Sequence, residues 1–271
     1  MQNRLKLINI FLFLLFCSVY AYAYEPKAKS SISLIGMNMD YREYDDNDLI
    51  KNSEKSAFRE LIGFEVGYDF YFSRDANSYS EFDTNFMFIS GETEYIGSLL
   101  YSNDPYGSYR GKTNNKIADI DMSYRYNYIA NSTISFNYGL GLGFRYWLRS
   151  LSLSQEEFYY WFSLRPSFGL NMQLFSNLYV APRVTYQYGI LPQMHASDLS
   201  HTFTLGSANI VSITVPLNYE LNRKIDLFVS YTYEEQTIEK SDVFQKGSYN
   251  YYEPDSTAKN QYLKFGVAFK Y

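Results

Sequence analysis

Carboxylate and guanidinium groups recur at every second position in several segments of this chain. Asp119, Asp121 and Arg125 alternate with apolar residues, and Arg145 and Arg165 do the same in the two segments that follow. Because successive side chains of a β-strand point to opposite faces, this spacing places the charges on one face. Buried charges are tolerated when they are paired, so the pattern predicts an internal network of ion pairs. The predicted network comprises Glu65, Asp69, Asp83, Asp119, Asp121, Arg125, Arg145, Arg165, Arg183, Glu220 and Asp226.

A second group of reactive residues surrounds the two histidines of the chain. His195 and His201 flank Asp198 in a polar segment at about 190–208, which we predict to be a loop. Histidine and carboxylate side chains are common general acids and bases, so these residues could activate a water molecule. The candidate catalytic residues are Asp104, Asp119, Asp121, His195, Asp198 and His201.

Other kinds of chemistry are not indicated. The chain lacks a Walker loop, a dinucleotide fingerprint, a His-Glu-x-x-His motif and a nucleophile elbow. Its one cysteine, Cys17, lies in an apolar segment near the N-terminus. We therefore predict no metal site and no cofactor. A net charge of −5 at pH 7 does not favour nucleic acid as a partner.

Strict alternation of apolar and polar side chains identifies the elements that must position these groups. It runs without a break from Asp119 to Tyr128, and a helical period would scatter the same charges around the helix axis. The pattern predicts ten strands, of which the third is the least regular because Met87 and Ile89 blur its faces. The strands are predicted at about 31–41, 60–72, 80–90, 115–128, 134–146, 158–172, 178–188, 209–221, 225–234 and 261–271.

Short and long connections alternate between these strands. The short turns lie near 73–79, 129–132, 175–177 and 222–224. The long polar loops lie near 42–59, 91–114, 148–156, 190–208 and 235–260. A secreted β-sandwich is the alternative, but it offers no reason for this segregation of loop lengths. The predicted fold class is all-β, a ten-stranded antiparallel transmembrane β-barrel with short periplasmic turns and long extracellular loops.

The N-terminal segment is predicted to be a signal peptide at 1–23, followed by the barrel at 24–271. Arg4 and Lys6 precede an apolar run, and Ala21-Tyr22-Ala23 supplies the small-x-small pattern that signal peptidase cleaves. The apolar run is shorter than the ~20 residues of a membrane-spanning helix. We therefore expect export through a cleaved signal rather than an N-terminal anchor.

The last segment resembles the C-terminal assembly signal of bacterial outer-membrane proteins. Its apolar residues alternate, and it ends on an aromatic residue, here Tyr in place of the usual Phe. The resemblance implies location in a Gram-negative outer membrane, in contact with lipid and lipopolysaccharide. It also implies insertion by periplasmic chaperones and the barrel-assembly machinery. The residues that carry the resemblance are Leu263, Phe265, Val267, Phe269 and Tyr271.

The ten strands and their loop order also resemble the omptin family of surface proteases. Omptins place two aspartates on one side of the barrel mouth and an Asp-x-His couple on the other, and together these groups activate a water. Here Asp104 lies in the second long loop, and Asp119 and Asp121 open the strand after it. Asp198 and His201 are spaced too widely for the Asp-x-His couple, so the sequence departs from the family pattern.

The leading functional prediction is a non-enzymatic outer-membrane barrel with a salt-bridged lumen, whose surface loops contact the environment or a partner. An omptin-like endopeptidase is the second prediction. A narrow pore for small solutes, with the lumen charges as its constriction, is the third. The last long loop is rich in residues suited to partner binding. These residues are Asp242, Tyr249, Tyr251, Tyr252, Glu253 and Asp255.

Overall fold

A computed structural model describes residues 27–98, 105–152 and 155–271. The predicted signal peptide and the candidate Asp104 lie outside these ranges. Within them, no helix is long and apolar enough to cross a membrane. The regular elements of the described residues are all β-strands.

Fifteen strands make up this structure. They are β1 (Ala28–Tyr44), β2 (Ile50–Lys55), β3 (Leu61–Asp75), β4 (Ser78–Gly97), β5 (Tyr109–Ile129), β6 (Ile134–Ser150), β7 (Glu156–Phe175), β8 (Leu178–Val180), β9 (Arg183–Ala196), β10 (His201–Thr204), β11 (Ala208–Asn222), β12 (Ile225–Ile238), β13 (Phe244–Lys246), β14 (Tyr249–Tyr251) and β15 (Asp255–Lys270). The hairpin of β13 and β14 forms a separate two-stranded sheet. Three positions in the barrel wall are each occupied by two successive strands, namely β2 with β3, β8 with β9, and β10 with β11. The wall therefore has ten strand positions.

The first and last strands close the ring. β1 pairs antiparallel with β15, from Lys29 opposite Lys270 to Tyr44 opposite Asp255. The other edge of β15 pairs with β12. Each strand position thus has a hydrogen-bonded neighbour on both sides, which is the condition for a sheet to exist in lipid. The predicted ten-stranded antiparallel barrel is confirmed.

The two ends of the barrel differ. We call the end with the tight turns between β3 and β4, β5 and β6, β7 and β8, and β11 and β12 the turn end, and the opposite end the loop end. At the loop end the strands run on into segments predicted as loops, since β6 reaches Ser150 and β9 reaches Ala196. β4 pairs with β5 without interruption, so the region 80–90 is regular, and Met87 and Ile89 point into the barrel.

The outer face of the wall carries an apolar band with a polar zone above it. Leu142 on β6 is 64% exposed, and Ile32 and Leu34 on β1 are likewise exposed. Further towards the loop end, the outward residues of β1 are polar and include Asp40 and Arg42. A band of exposed apolar residues on a closed barrel is the surface that faces lipid. The last strand contributes to it through Leu263, Phe265, Val267, Phe269 and Tyr271.

The lumen is filled differently in its two halves. The loop-end half holds a cluster of buried apolar side chains, whereas the turn-end half holds ion pairs and a cavity. The larger members of the apolar cluster are Met37, Met39, Tyr41, Leu61, Ile89, Trp147, Tyr159, Trp161, Phe203 and Ile210. Interior filling by side chains is expected for a narrow barrel.

The position of the lipid-facing band can be tested with Leu142→Arg. A charged side chain near the bilayer midplane costs about 2–4 kcal/mol in a barrel, and much less near the interface. We expect the free energy of unfolding in lipid vesicles to fall by about that amount. The matched control is Asn114→Arg, because Asn114 is an exposed polar residue of β5 nearer the loop end. Equal losses for both variants would contradict the assigned band.

Candidate functional site

A single arginine organises the loop-end half of the lumen. Arg149, at the end of β6, is 1% exposed as a side chain and is surrounded by glutamates. Its Nη1 donates to Glu43 at 2.8 Å and to Glu157 at 2.7 Å. Its Nε and Nη2 both donate to Oε1 of Glu54, at 3.0 and 2.7 Å. We call Arg149 and the acids around it, Glu43, Glu54, Glu157 and Glu253, the Arg149 cluster.

Aromatic rings enclose the guanidinium of this cluster. The carbon of the Arg149 guanidinium lies 4.4 Å from the centre of the Tyr41 ring and 5.5 Å from that of Trp147. Trp147 in turn stacks on Tyr159, with ring centres 5.1 Å apart. An arginine suits such a place because its flat guanidinium can stack on rings while its edge donates hydrogen bonds. The result is a layer of buried, closely packed side chains across the lumen.

The last loop closes over this layer. The Tyr159 hydroxyl donates to Glu253 at 2.5 Å, and Glu253 lies in the segment between β14 and β15. The same segment is held at its base, where the backbone N–H of Ser241 donates to the carbonyl of Glu253. Burial and the neighbouring Glu157 and Glu43 raise the pKa of Glu253 well above its usual range. Part of the predicted surface loop is therefore an internal plug.

Beneath this layer lies a second network, built on two arginines. Arg165 forks onto Asp119, with Nη1 and Nη2 at 2.7 and 3.0 Å from the two carboxylate oxygens. Arg145 donates from Nε to the same aspartate at 2.9 Å and forks onto Glu234 at 2.9 and 3.0 Å. Asp121 completes the set at 3.3 Å from Arg165. Bidentate pairs of this kind give both strength and fixed geometry.

The predicted charges near the turn end form separate ion pairs around a cavity of about 900 Å³. Their partners include four groups that sequence reasoning did not select, namely Lys29, Glu81, Lys264 and Lys270. The pairs are Lys29 with Asp69 at 2.9 Å, Lys264 with Glu65 at 2.5 Å, Lys270 with Asp226 at 2.8 Å and with Glu220 at 3.4 Å, and Arg125 with Glu81 at 2.6 Å and with Asp83 at 2.9 Å. Arg183 lines the same cavity, and among the described residues its buried Nε has no hydrogen-bond partner.

The candidate catalytic residues are not brought together. Asp119 and Asp121 lie inside the wall and are engaged by arginines. His195 lies in β9 and hydrogen-bonds to Thr202 at 3.0 Å, with its ring near that of Phe158. Our prediction that both histidines lie in a loop is wrong, because the wall continues past the apolar band and β9 and β10 include them.

The remaining candidates are at the rim. His201 stacks on Phe244 of the β13–β14 hairpin, with ring centres 3.7 Å apart. Asp198 is exposed in the turn between β9 and β10. Among the described residues, no group of three or more histidine, aspartate or glutamate side chains could hold a metal ion.

The sequence analysis did not group the Arg149 cluster, because Arg149, Glu43, Glu54 and Glu253 fall in segments predicted as loops and Glu157 just precedes the strand predicted at 158–172. One feature of the sequence could have predicted that these residues face the lumen. Arg145, Trp147 and Arg149 continue the inward phase of β6, and Tyr41 and Glu43 continue that of β1. Above the lipid, however, outward residues such as Asp40 and Arg42 are polar, and inward residues such as Trp147 are apolar, so the alternation no longer separates an apolar face from a polar one.

Solved structures of similar fold identify the fold class of this chain, although sequence comparisons do not. No protein-family model matches the chain, and no curated protein matches its sequence. The outer membrane protease OmpT from Escherichia coli is similar with a TM-score of 0.56 and 9% identity, over 94% of this chain and 100% of OmpT. The translocator domain of the autotransporter NalP from Neisseria meningitidis covers 100% of this chain and 95% of its own length, at 12% identity and a TM-score of 0.40.

This is the fold of an outer-membrane β-barrel. The resemblance to the omptins in strand number and loop order is confirmed at the level of the fold. At 9% identity the likeness carries no residue of the OmpT site to this chain. Inferences about the chemistry of the lumen therefore rest on its own side chains.

The role of Arg149 can be tested with Arg149→Met. The change leaves Glu43, Glu54 and Glu157 buried without their cation, and breaking a buried ion pair in this way costs about 3–5 kcal/mol. We expect a loss of that size in the free energy of unfolding. The two tryptophans of the chain, Trp147 and Trp161, both lie in the affected layer, so their fluorescence reports the transition.

The matched control for this variant is Arg42→Met. Arg42 pairs with Asp40 on the outer face, where both side chains are partly exposed. An exposed ion pair contributes about 1 kcal/mol or less, so the control should retain nearly all its stability. A loss for Arg149→Met no larger than that of the control would show that the cluster does not hold the layer.

The docking of the last loop should depend on pH. A raised pKa means that the folded state binds a proton more tightly than the unfolded state. The contribution of Glu253 is then complete below its ordinary value of about 4.5 and is lost as the pH rises through the folded-state pKa. We expect hydrogen-exchange protection of the Ser241 and Glu253 amides, corrected for intrinsic rates, to be higher at pH 5 than at pH 8. Glu253→Gln should reduce this difference, and greater protection at pH 8 in the unmodified protein would contradict it.

Proposed function

We propose that this protein is a non-enzymatic barrel of the Gram-negative outer membrane, closed at its loop end, which uses its outer surface to contact the environment or a partner. The observation that carries the proposal is the closed layer formed by the Arg149 cluster and the apolar side chains packed around it. Tyr41, Tyr159 and Trp161 in this layer are 0%, 0% and 1% exposed. A conducting pore would need a hydrated path at this level.

The placement of the acid–base groups supports a non-enzymatic role. General acid–base catalysis needs the acid, the base and the substrate within hydrogen-bond reach of one another. Asp119 and Asp121 lie below the closed layer, whereas His195 lies high on β9, where it contacts Thr202 and Phe158. OmpT is a protease, but the likeness to it concerns the fold.

The β13–β14 hairpin supports a role in surface contact. Phe244 stacks on His201, and Tyr251 packs against the apolar cluster, so the hairpin is anchored to the barrel. Tyr249 and Val243 are nevertheless 66% and 59% exposed. Aromatic side chains held on a rigid support bind partners at a low entropic cost.

The proposed location rests on the fold, the apolar band and the sequence signals at the two ends of the chain. In this proposal the chain is exported through a cleaved signal peptide at 1–23. Periplasmic chaperones and the barrel-assembly machinery then insert it, with the segment ending at Tyr271 as the signal for assembly. Lipid and lipopolysaccharide are its constant neighbours, and nucleic acid is not a partner.

Conductance measurements test the closure. In planar bilayers we expect the purified barrel to show no steady open conductance. Removing bulk from the layer with Trp147→Ala and Trp161→Ala together should produce open events, whereas Leu142→Ala, on the outer face, should not. Steady conductance of the unmodified protein would overturn the closed lumen.

A peptidase assay tests the absence of catalysis. Refolded protein is incubated with a dibasic reporter peptide in the presence of lipopolysaccharide, and we expect no cleavage above the protein-free control. If cleavage is seen and His195→Ala or His201→Ala abolishes it, the protein is an endopeptidase and the proposal is wrong.

A further inference from the structure

The turn-end cavity has the dimensions of a ligand site. Its volume of about 900 Å³ lies within the range of small-molecule pockets, ~300–1,000 Å³. Residues of the turns, such as Asn131 and Asn177, line its mouth, and Arg145 and Arg165 line its inner end. The closed layer lies beyond those arginines, so a solute can reach the cavity from the turn end.

Arg183 differs from the other inward-facing cations of the described strands. Each of the other inward-facing cations on the described strands lies within 4.0 Å of a carboxylate. They are Lys29, Arg125, Arg145, Arg149, Arg165, Lys264 and Lys270. Arg183, at the start of β9, forms neither an ion pair nor a hydrogen bond with any described residue. Its Nε is buried and without a partner.

The wall around Arg183 is neutral and polar. Its register partners are Gly169 on β7 and Thr214 on β11, and the next inward pair is Thr185 with Ser212. The register therefore places hydroxyl-bearing residues, and no acidic residue, next to Arg183 on the inward faces of β9 and β11. Four charged groups on other strands line the same cavity and interact electrostatically with Arg183, namely Arg125, Asp83, Glu81 and Asp69.

The acids among these groups already have cationic partners of their own. Asp83 and Glu81 are bound to Arg125 at 2.9 and 2.6 Å, and Asp69 is bound to Lys29 at 2.9 Å. The donor capacity of Arg183 is thus left free on the neutral side of the cavity. A guanidinium is well suited to this task because its planar fork matches the two oxygens of a carboxylate or phosphate.

We propose that Arg183, with the hydroxyls of Thr185, Ser212 and Thr214, binds the oxyanion group of a small solute that enters the barrel from the turn end. The shared chemistry is a carboxylate or phosphate group, held by the guanidinium and neighbouring hydroxyls. The neutral wall accepts the rest of the solute, and the acids opposite repel a second negative charge. This site is independent of the surface role proposed above.

The experiment follows the arginine side chain directly. The refolded barrel, labelled with ¹⁵N-arginine, is titrated in detergent micelles with sodium acetate in one arm and inorganic phosphate in the other, at constant ionic strength. We expect a saturable shift of the Nε–H signal of Arg183, assigned by its absence in Arg183→Lys. The arm with the lower dissociation constant identifies the preferred group, carboxylate or phosphate.

Variants test the same site by calorimetry. Arg183→Gln should weaken anion binding at least about ten-fold, because it removes the charge and the fork. Arg183→Lys should retain part of the affinity. Lys116→Gln removes one exposed cation from the outer face of β5 and should bind as the unmodified protein does.

Two results would overturn the proposal. One is the absence of any saturable shift of the Arg183 signal in the unmodified, folded barrel. The other is unchanged binding by Arg183→Gln when its heat-modifiable migration shows that it is folded. Neither result bears on the conductance or peptidase assays, which probe the loop end.

Discussion

The pairing of β1 with β15 is the interaction on which the rest of this structure depends. Backbone N–H and C=O groups in lipid have no water to bond to, so a sheet persists there only when its edges are joined. The register from Lys29 opposite Lys270 to Tyr44 opposite Asp255 joins them along the whole length of β1. Closure then fixes which residues face lipid and which face the lumen. It also isolates the lumen, whose charges must be neutralised by groups on the same wall.

The charges of the lumen are arranged in layers that meet this demand in different ways. Near the turn end, single pairs such as Lys29 with Asp69 border the cavity. In the middle, two arginines share Asp119. Near the loop end, Arg149 binds three glutamates within an apolar surround, and a fourth acid from the last loop is added through Tyr159. Apolar packing thus increases from the turn end to the loop end, so that the cavity lies beneath a closely packed layer.

The architecture could be predicted from the sequence because lipid imposes a strong contrast on the wall. Alternation along Asp119–Tyr128 was enough to place a strand and assign its faces. Ring closure followed from the alternation of short and long connections, and from the fact that an open sheet cannot persist in lipid. The same contrast is absent above the lipid, so the upper part of β9 with His195 was predicted as a loop. Spacing also shows which face a charge occupies but not its partner. Whether Arg183 forms an ion pair, as Arg165 does, depends on which residues lie next to it on the adjacent strands. Alternation within one strand does not give the register between strands, so it could not predict those residues.

The extension of the strands past the apolar band has a consequence for reach. β5 has 21 residues, which at ~3.3 Å per residue and a tilt of ~40° gives a wall about 50 Å tall. The apolar band of such barrels is only ~25 Å tall. The wall is therefore taller than the apolar band and extends beyond the membrane at the loop end. This extension holds the β13–β14 hairpin away from the lipid headgroups, so that a large neighbour can contact the hairpin without first approaching the bilayer.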